Sequence, residues 1–479
     1  MSTADLALLG GKPIRTEPFL VEPMVDAEEE RLVMAALQQK NFSRYIGSAA
    51  PDIETTLRLT SAAAADVLGY WHFLGGENVR RLAAEFAAAF EVPYAIPITN
   101  ATTGISVALA ANGIGPGDEV IVPAISFSAT ASAVLMFNSI PVFVDVDPLT
   151  FCIDPDKIAA AIGPRTRAIV PVHLTGNVAD MDAIIALAQK HDLKVIEDAA
   201  QAIGATWRGR KAGTLGDAGV FSFQQSKNIM TGEGGMIVTR DQEVARRCRL
   251  IANHGEVVFD ESHDADDLAN MVGCNFRMPE LCAAVGRAQL TKLERVNEWR
   301  TRNADVLRAE LSNLPGLRLP PSQRLGNGPA RDVPHLFVAL HDAEEMGISR
   351  NLFVAALRAE GVPVGTGYVR TMYANPTFTH RVAFGASGCP WTCQRAGEAP
   401  SDRRYRKGDC PIAERLLDVE FLWFYHIAHA STEADMRDIG RAVRKVIDHR
   451  RALAKAGDAA AGSLGGKGQG RIGAQMGKS

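Results

Sequence analysis

Lys227, in "VFSFQQSKNIMTGEGGMIVT" (Val220 to Thr239), lies where a solvated lysine has no reason to be. Short, apolar, β-rich segments flank it, and a glycine-rich turn follows. Asp198 closes another such segment, "KVIED". A carboxylate at the end of a buried strand is costly without a cation, and strand ends are where open α/β sheets place their ligands. Asn100-Ala101-Thr102-Thr103 follows the strand-like "YAIPIT" and opens a helix with small and hydroxyl residues. Free N–H groups and the positive end of the dipole make such a terminus a phosphate site. Ser222 adds a hydroxyl just before Lys227, and Phe127 in "VPAISFSATASA" adds an aromatic face.

An amine, a carboxylate, a phosphate cradle and an aromatic face suit a flat ligand with a phosphate, a basic ring nitrogen and an aldehyde. Pyridoxal 5′-phosphate is such a ligand: its aldehyde forms a Schiff base with a lysine and its ring nitrogen pairs with an aspartate. Each residue also has a plainer explanation. Asp198 could cap the helix in "AAQAIGA", Thr102 or Thr103 could be an N-cap, and Phe127 could be core. Glu233, Gly234 and Gly235 read as a tight turn behind the lysine. The joint order of these residues favours the ligand site.

The elements that must position them alternate. "YAIPIT", "EVIVPA", "PVFVDV", "AIVPVH", "KVIED", "VFSF" and "GMIVT" read as strands, with helices at Thr103 to Ala111, Ala129 to Met136, Asp154 to Ala161 and Met181 to His191. This βαβ rhythm implies an α/β fold with a mostly parallel sheet covered on both faces. The expected organisation is an N-terminal arm (1–24), a large domain (25–296), a smaller α+β domain (297–450) and a disordered Gly/Ala/Lys-rich tail (451–479). Gly47 to Asp66 reads as an insertion, Gly385 to Asp409 as a long polar loop of possible functional use, and "DESHDADD" as a solvated acidic loop.

The chain has 479 residues, 47% hydrophobic and 22% charged, with a net charge of −4. That gives no electrostatic case for nucleic acid, and no apolar run reaches membrane-spanning length. No signal peptide is read at the start. Seven cysteines scattered over the chain suggest reduced thiols in a cytoplasm. Cys389, Cys393 and Cys410 do not match a two-pair zinc pattern, so no metal is expected.

The motifs "LALLGGKPIR", "ITNATTGISVAL", "PVHLTGNVADM", "IEDAAQAIGA", "GDAGVFSFQQSK", "TGEGG", "ANHGE", "GCNFRMPELCAAVGRAQL" and "CPIAER" together resemble the DegT/DnrJ/StrS family of sugar and cyclitol aminotransferases. That family belongs to the fold-type I PLP enzymes, similar to aspartate aminotransferase. The resemblance implies a seven-stranded large domain, a smaller C-terminal domain and a homodimer with shared active sites. It implies Lys227 as the Schiff-base lysine, Asp198 as the ring-nitrogen partner and Gln201 near the cofactor's 3-hydroxyl. Thr102, Thr103 and Ser222 correspond to the phosphate cradle and Phe127 to the stacking ring. Asn253 corresponds to an asparagine sent to the neighbouring subunit's phosphate. His173, Asn275, Arg277 and His426 are candidates for the substrate side. Ala101 departs from the glycine usual at that position.

The activity implied is transfer of an amino group from glutamate or glutamine to a keto-cyclitol or keto-sugar by a ping-pong cycle, as in aminoglycoside biosynthesis. "FSFQQSK" resembles the glutamine-dependent inosose branch and the aminohydroxybenzoate synthase branch about equally, so a dehydratase/aromatase stands as an alternative. A PLP-binding regulator without turnover is a second alternative. Lys227 itself argues against the family's 3-dehydratases, which lack the lysine.

Overall fold

The computed structural model describes residues 6–20, 22–40, 42, 43, 45, 74–255, 272–368, 370–393 and 399–457. The insertion at Gly47 to Asp66 and the acidic "DESHDADD" lie outside them.

All seven expected strands form. They are β1 (Tyr94–Ile98), β2 (Glu119–Pro123), β3 (Ile140–Val144), β4 (Thr166–Ile169), β5 (Lys194–Asp198), β8 (Ala218–Ser222) and β9 (Gly235–Thr239), with the hairpin β6 (Thr206–Trp207) and β7 (Arg210–Lys211) between. The sheet order is β1-β9-β8-β5-β4-β2-β3. Only β9 runs against its neighbours, so the carboxyl ends of the other six lie along one rim. Both faces are covered, which is why most of these strands are buried along nearly their whole length.

Helix starts follow their capping residues. Asn100 caps Ala101–Ala111 through Thr103 N–H, and Asp154 caps Pro155–Ala161 with proline at the first position. Asp180 caps Met181–His191. Gly104 is the close-approach residue of the Ala101–Ala111 helix: a Cβ there would meet Val220 at 2.7 Å. The helix therefore rests directly on β8. Gly235 does the same at its N-terminus, where a Cβ would meet Asn100 and Ala101 backbone at 2.9 and 3.0 Å. Ser222 pairs with Gly235 across the ladder, so the serine is brought to the helix start.

The second core gathers around an antiparallel sheet, β10 (Leu317–Arg318), β12 (Phe337–His341) and β13 (Phe421–Phe424), packed under Arg350–Ala359 and Glu433–Asp448. The short β11 (Ala330–Arg331) pairs back to β6. One continuous helix, Leu293–Leu311, runs between the two cores: Leu293 packs in the large one, and Ala304, Leu307 and Leu311 in the small one. The arm is part of the small core too. Leu6 and Phe19 are buried there, and the fully buried Glu360 accepts from Ala7 and Ile14 N–H at 2.9 and 3.0 Å.

Two expectations are corrected. The stretch from 451 is not irregular from its start: a helix, Arg450–Ala456, extends into it because Leu453 packs into the small core. The reduced-thiol expectation fails at one pair, since Cys389 and Cys393 are joined as a disulfide; Cys152, Cys248, Cys274, Cys282 and Cys410 are free. The described part of the 385–409 loop covers the β3 edge of the sheet. Its Trp391 is fully buried and donates to Tyr405 Oη, which donates to Pro141 O on β3. No helix among the described residues is long and apolar enough to cross a membrane.

Candidate active site

Lys227 sits on a tight excursion between β8 and β9. Its own N–H donates to Gln224 O, while Phe223 and Gln225 N–H donate to Gly234 and Gly232 O, at 2.8 to 2.9 Å. Gly232 takes a left-handed φ of +81°, which only a glycine adopts without strain. The "TGEGG" turn thus closes the loop behind the lysine, as its sequence suggests. The tip is held from three sides. Gln224 Oε1 accepts from Ser226 N–H and Oγ–H, Tyr425 Oη donates to Ser226 O at 2.7 Å, and Asn228 Nδ2 donates to Asn297 Oδ1 at 2.9 Å. The lysine head is left free: Nζ makes no hydrogen bond or ion pair to a described residue. Burial pulls its ammonium down to about 8, against the pull of Asp198 and helped by Arg300.

Asp198 ends β5, 5% exposed. Thr130 Oγ1 donates to its Oδ2 at 2.8 Å and Ala200 N–H to its Oδ1 at 3.2 Å. Burial raises its pKa, with Thr130, Ala200 and Lys227 opposing. No described cation forms an ion pair with it. Its neighbour Glu197 faces the other way and is fully buried. It accepts from Gly213, Leu215 and Gly216 N–H at 2.6 to 2.7 Å and from His173 Nε2 at 2.9 Å. That knot fixes the end of β5 and hence Asp198.

At the start of the Ala101–Ala111 helix, the Ala101 and Thr102 N–H groups have no acceptor among the described residues. Thr102 is half-buried. Thr103 is turned inward: its N–H donates to Asn100 Oδ1 and its Oγ1 to Asn100 O. Ser222 Oγ is an acceptor for Gln224 N–H at 3.3 Å, with its own proton uncommitted. Phe127 stands on the same rim, 56% exposed.

Other expected residues are placed differently. His173 does not line the rim. It is fully buried with both nitrogens engaged, Nδ1 accepting from Ala179 N–H and Nε2 on Glu197. His426 faces the arm instead of the lysine: its ring lies 5.4 Å from Phe19, and burial lowers its pKa to about 4. Gln201 stays beside Asp198, but its amide bridges Tyr368 Oη and Thr175 N–H. Asn253, Asn275 and Arg277 form one cluster outside β1. Arg277 donates to both asparagines and to Tyr45 O, and Asn253 is 5% exposed.

Four neighbours escape the motif reading. Tyr425, Arg300, His335 and Tyr368 come from the small domain and the linking helix, far along the chain. Arg300 and Tyr425 line the cleft that opens on Lys227, with Asn228 and His429. Their only sequence signal is weak: Asn297 and Arg300 are polar at helical spacing on a face otherwise apolar.

Comparison with known proteins agrees with this geometry. The sequence profile of the DegT/DnrJ/EryC1/StrS aminotransferase family matches residues 58–401. The chain is 35% identical to the L-glutamine:2-deoxy-scyllo-inosose aminotransferase of Streptoalloteichus tenebrarius, over 93% of this chain and 98% of that protein. The crystal structure of DesI in the presence of its TDP-sugar product superposes with a TM-score of 0.75 at 29% identity, over 95% of this chain and 99% of the other. That of 3-amino-5-hydroxybenzoic acid synthase gives 0.71 at 26%, over 92% and 100%.

Proposed function

From a chain that belongs to the DegT/DnrJ/EryC1/StrS aminotransferase family, and is therefore an aminotransferase of α/β fold-type I architecture, we propose a specific reaction. The amino group of L-glutamine passes to a keto-cyclitol of the 2-deoxy-scyllo-inosose type, with pyridoxal 5′-phosphate as carrier. The observation that supports it most is the placement of Lys227 and Asp198 on one rim, a half-buried amine and a buried carboxylate, neither in an ion pair with a described residue. The cyclitol rather than a nucleotide sugar or a benzoate precursor is favoured by the higher identity to the inosose aminotransferase.

The residues present fit the cofactor. Asp198 would hold the ring nitrogen, the Ala101 and Thr102 N–H groups with Ser222 Oγ would hold the phosphate, and the exposed Phe127 would cover the ring. Thr103 and Gln201 would position rather than touch. When bound, the cofactor supplies an aldehyde for amines and a ring that accepts the electron pair released from the substrate carbon. Lys227 Nζ, lowered toward neutrality, takes up and returns the proton at that carbon. Asp198 would pair with the protonated ring nitrogen of the bound cofactor, whose positive charge would in turn favour the carboxylate form.

A homodimer with shared sites is part of this reading. Asn253, Asn275 and Arg277 lie beside β1, the edge strand, Arg277 bridging to Ile98 and Asn275 to Asn253. Asn253 is held inside its own chain, so subunit mixing tests its role. Lys227→Ala mixed with an impaired Asn253→Ala should regain activity if Asn253 serves the neighbouring site, and stay inactive in verified heterodimers if it does not.

The deciding experiment for the reaction is a donor-by-acceptor matrix of L-glutamine and L-glutamate against 2-deoxy-scyllo-inosose, a nucleotide-linked keto-hexose and an aminoshikimate-type precursor. Fastest amination of the inosose is expected. Faster turnover of the keto-hexose, or formation of an aromatic product, would sink the cyclitol assignment.

A further inference from the structure

Arg300 is 2% exposed and lines the cleft that opens on Lys227. Its Nη1 donates to His335 O at 3.1 Å, and its guanidinium carbon lies 5.6 Å from the centre of the Tyr425 ring. Its Nε has no hydrogen-bond partner among the described residues, and no described carboxylate forms an ion pair with it. Glu22, the one carboxylate lining the cleft, does not reach it. A buried guanidinium without an anion is expensive to keep. A structural strut of the same length could have been neutral.

A ligand that carries an anionic group would complete the site. A guanidinium presents a planar fork that matches a carboxylate with two parallel hydrogen bonds. Of the two substrates proposed above, only the amino donor, and the 2-oxo acid it becomes, carries a carboxylate. The cyclitol ketone and its amine carry none. We propose that Arg300 binds the α-carboxylate of the amino donor beside Lys227, an assignment that rests on the aminotransferase reading. Tyr425 positions it: one face of the ring lies near the guanidinium, while its hydroxyl holds Ser226 O in the lysine loop. The same side chain thereby sets the spacing between the amine that exchanges and the cation that orients. Because donor and acceptor share one cleft in turn, Arg300 acts in only one half of the cycle.

The test separates the two halves. Holoenzyme with Arg300→Gln and Arg300→Lys is compared with wild type in single turnover, first with L-glutamine and then with the aminocyclitol product running the reaction backwards. Binding of glutaramate, which is glutamine without its amino group, is measured by calorimetry and needs no turnover. Arg300→Gln should weaken glutaramate and raise the half-saturating glutamine by roughly 10- to 150-fold, the loss of charged hydrogen bonds. The aminocyclitol half should change by less than about threefold, as expected where no contact is removed. Arg300→Lys should recover part of the loss, and it serves as the readable variant if Arg300→Gln does not fold. Equal damage to both halves, or unchanged glutaramate affinity, overturns the assignment. A wild-type enzyme that converts neither amine would instead overturn the aminotransferase reading on which it rests.

Discussion

Lys227 has to be a nucleophile near neutral pH and also a group that a fold will bury. Both come from the same cause. Taking the ammonium out of water disfavours its charge and brings its pKa to about 8, and Asp198 keeps it from falling further. The expected consequence is visible before any catalysis. Covalent capture of pyridoxal 5′-phosphate by the apo chain should speed up as pH rises through about 8, because only the free amine attacks. A stopped-flow absorbance series from pH 6.5 to 9.5 measures it, and borohydride reduction with peptide mapping should find the label on Lys227. A rate that is flat across that range, or a label on another lysine, contradicts the assignment. In Lys227→Ala the label should be absent.

At the scale of elements, the end of β5 carries two adjacent carboxylates with opposite duties. Asp198 faces the rim, with one hydrogen bond to each oxygen and no ion pair to a described cation. Glu197 faces the interior and is saturated by three N–H groups of the 213–216 turn and by His173. Glu197→Gln keeps the shape but replaces a charged acceptor with an amide that must also donate. It should cost about 2–4 kcal/mol, the scale for damaging a buried charged network, read as a lower urea midpoint with an unchanged slope. The strands, four of the helices and the rim residues Lys227, Asp198, Ser222, Thr102 and Phe127 were legible because local signals mark them: apolar runs, caps, a glycine turn. His173 and His426 misled because a histidine beside a motif looks alike whether its nitrogens are spent or free. Arg300, Tyr425 and Tyr368 were hidden because only tertiary packing of the second domain brings them near the lysine. The Cys389–Cys393 link was missed because composition argues about compartments, not about two particular side chains.

For the whole molecule, the arm and the far end of the linking helix pack into the core of the small domain, and the weak point of that core is acid. His341 is 1% exposed in β12, with neither ring nitrogen bonded to a described residue, and His426 is 9% exposed against the arm. Burial brings each down to about 4 from an ordinary 6.5, with Arg350 and Arg15 respectively adding to the fall. The sign follows from proton counting. Between about pH 6.5 and 4 the unfolded chain holds a proton on each histidine and the folded chain does not. The unfolded state therefore gains as pH falls, and stability present at neutral pH is lost through that window. A fall of about 2.5 pKa units corresponds to roughly 3 kcal/mol per histidine, a sizeable part of the 5–15 kcal/mol that typically holds a domain. Carboxylates such as Asp435 and Glu29, whose pKa values are lowered by their partners from 3.8 and 4.5, begin to lose their contribution only as pH falls through those ordinary values, at the lower end of that window and below it. Urea midpoints at pH 7 and pH 4.5 should therefore differ markedly, and His341→Asn, though weaker at pH 7, should show a shallower decline. A midpoint that stays level down to pH 4.5 would mean that these histidines are charged in the folded chain, and that the small core opens to water around them.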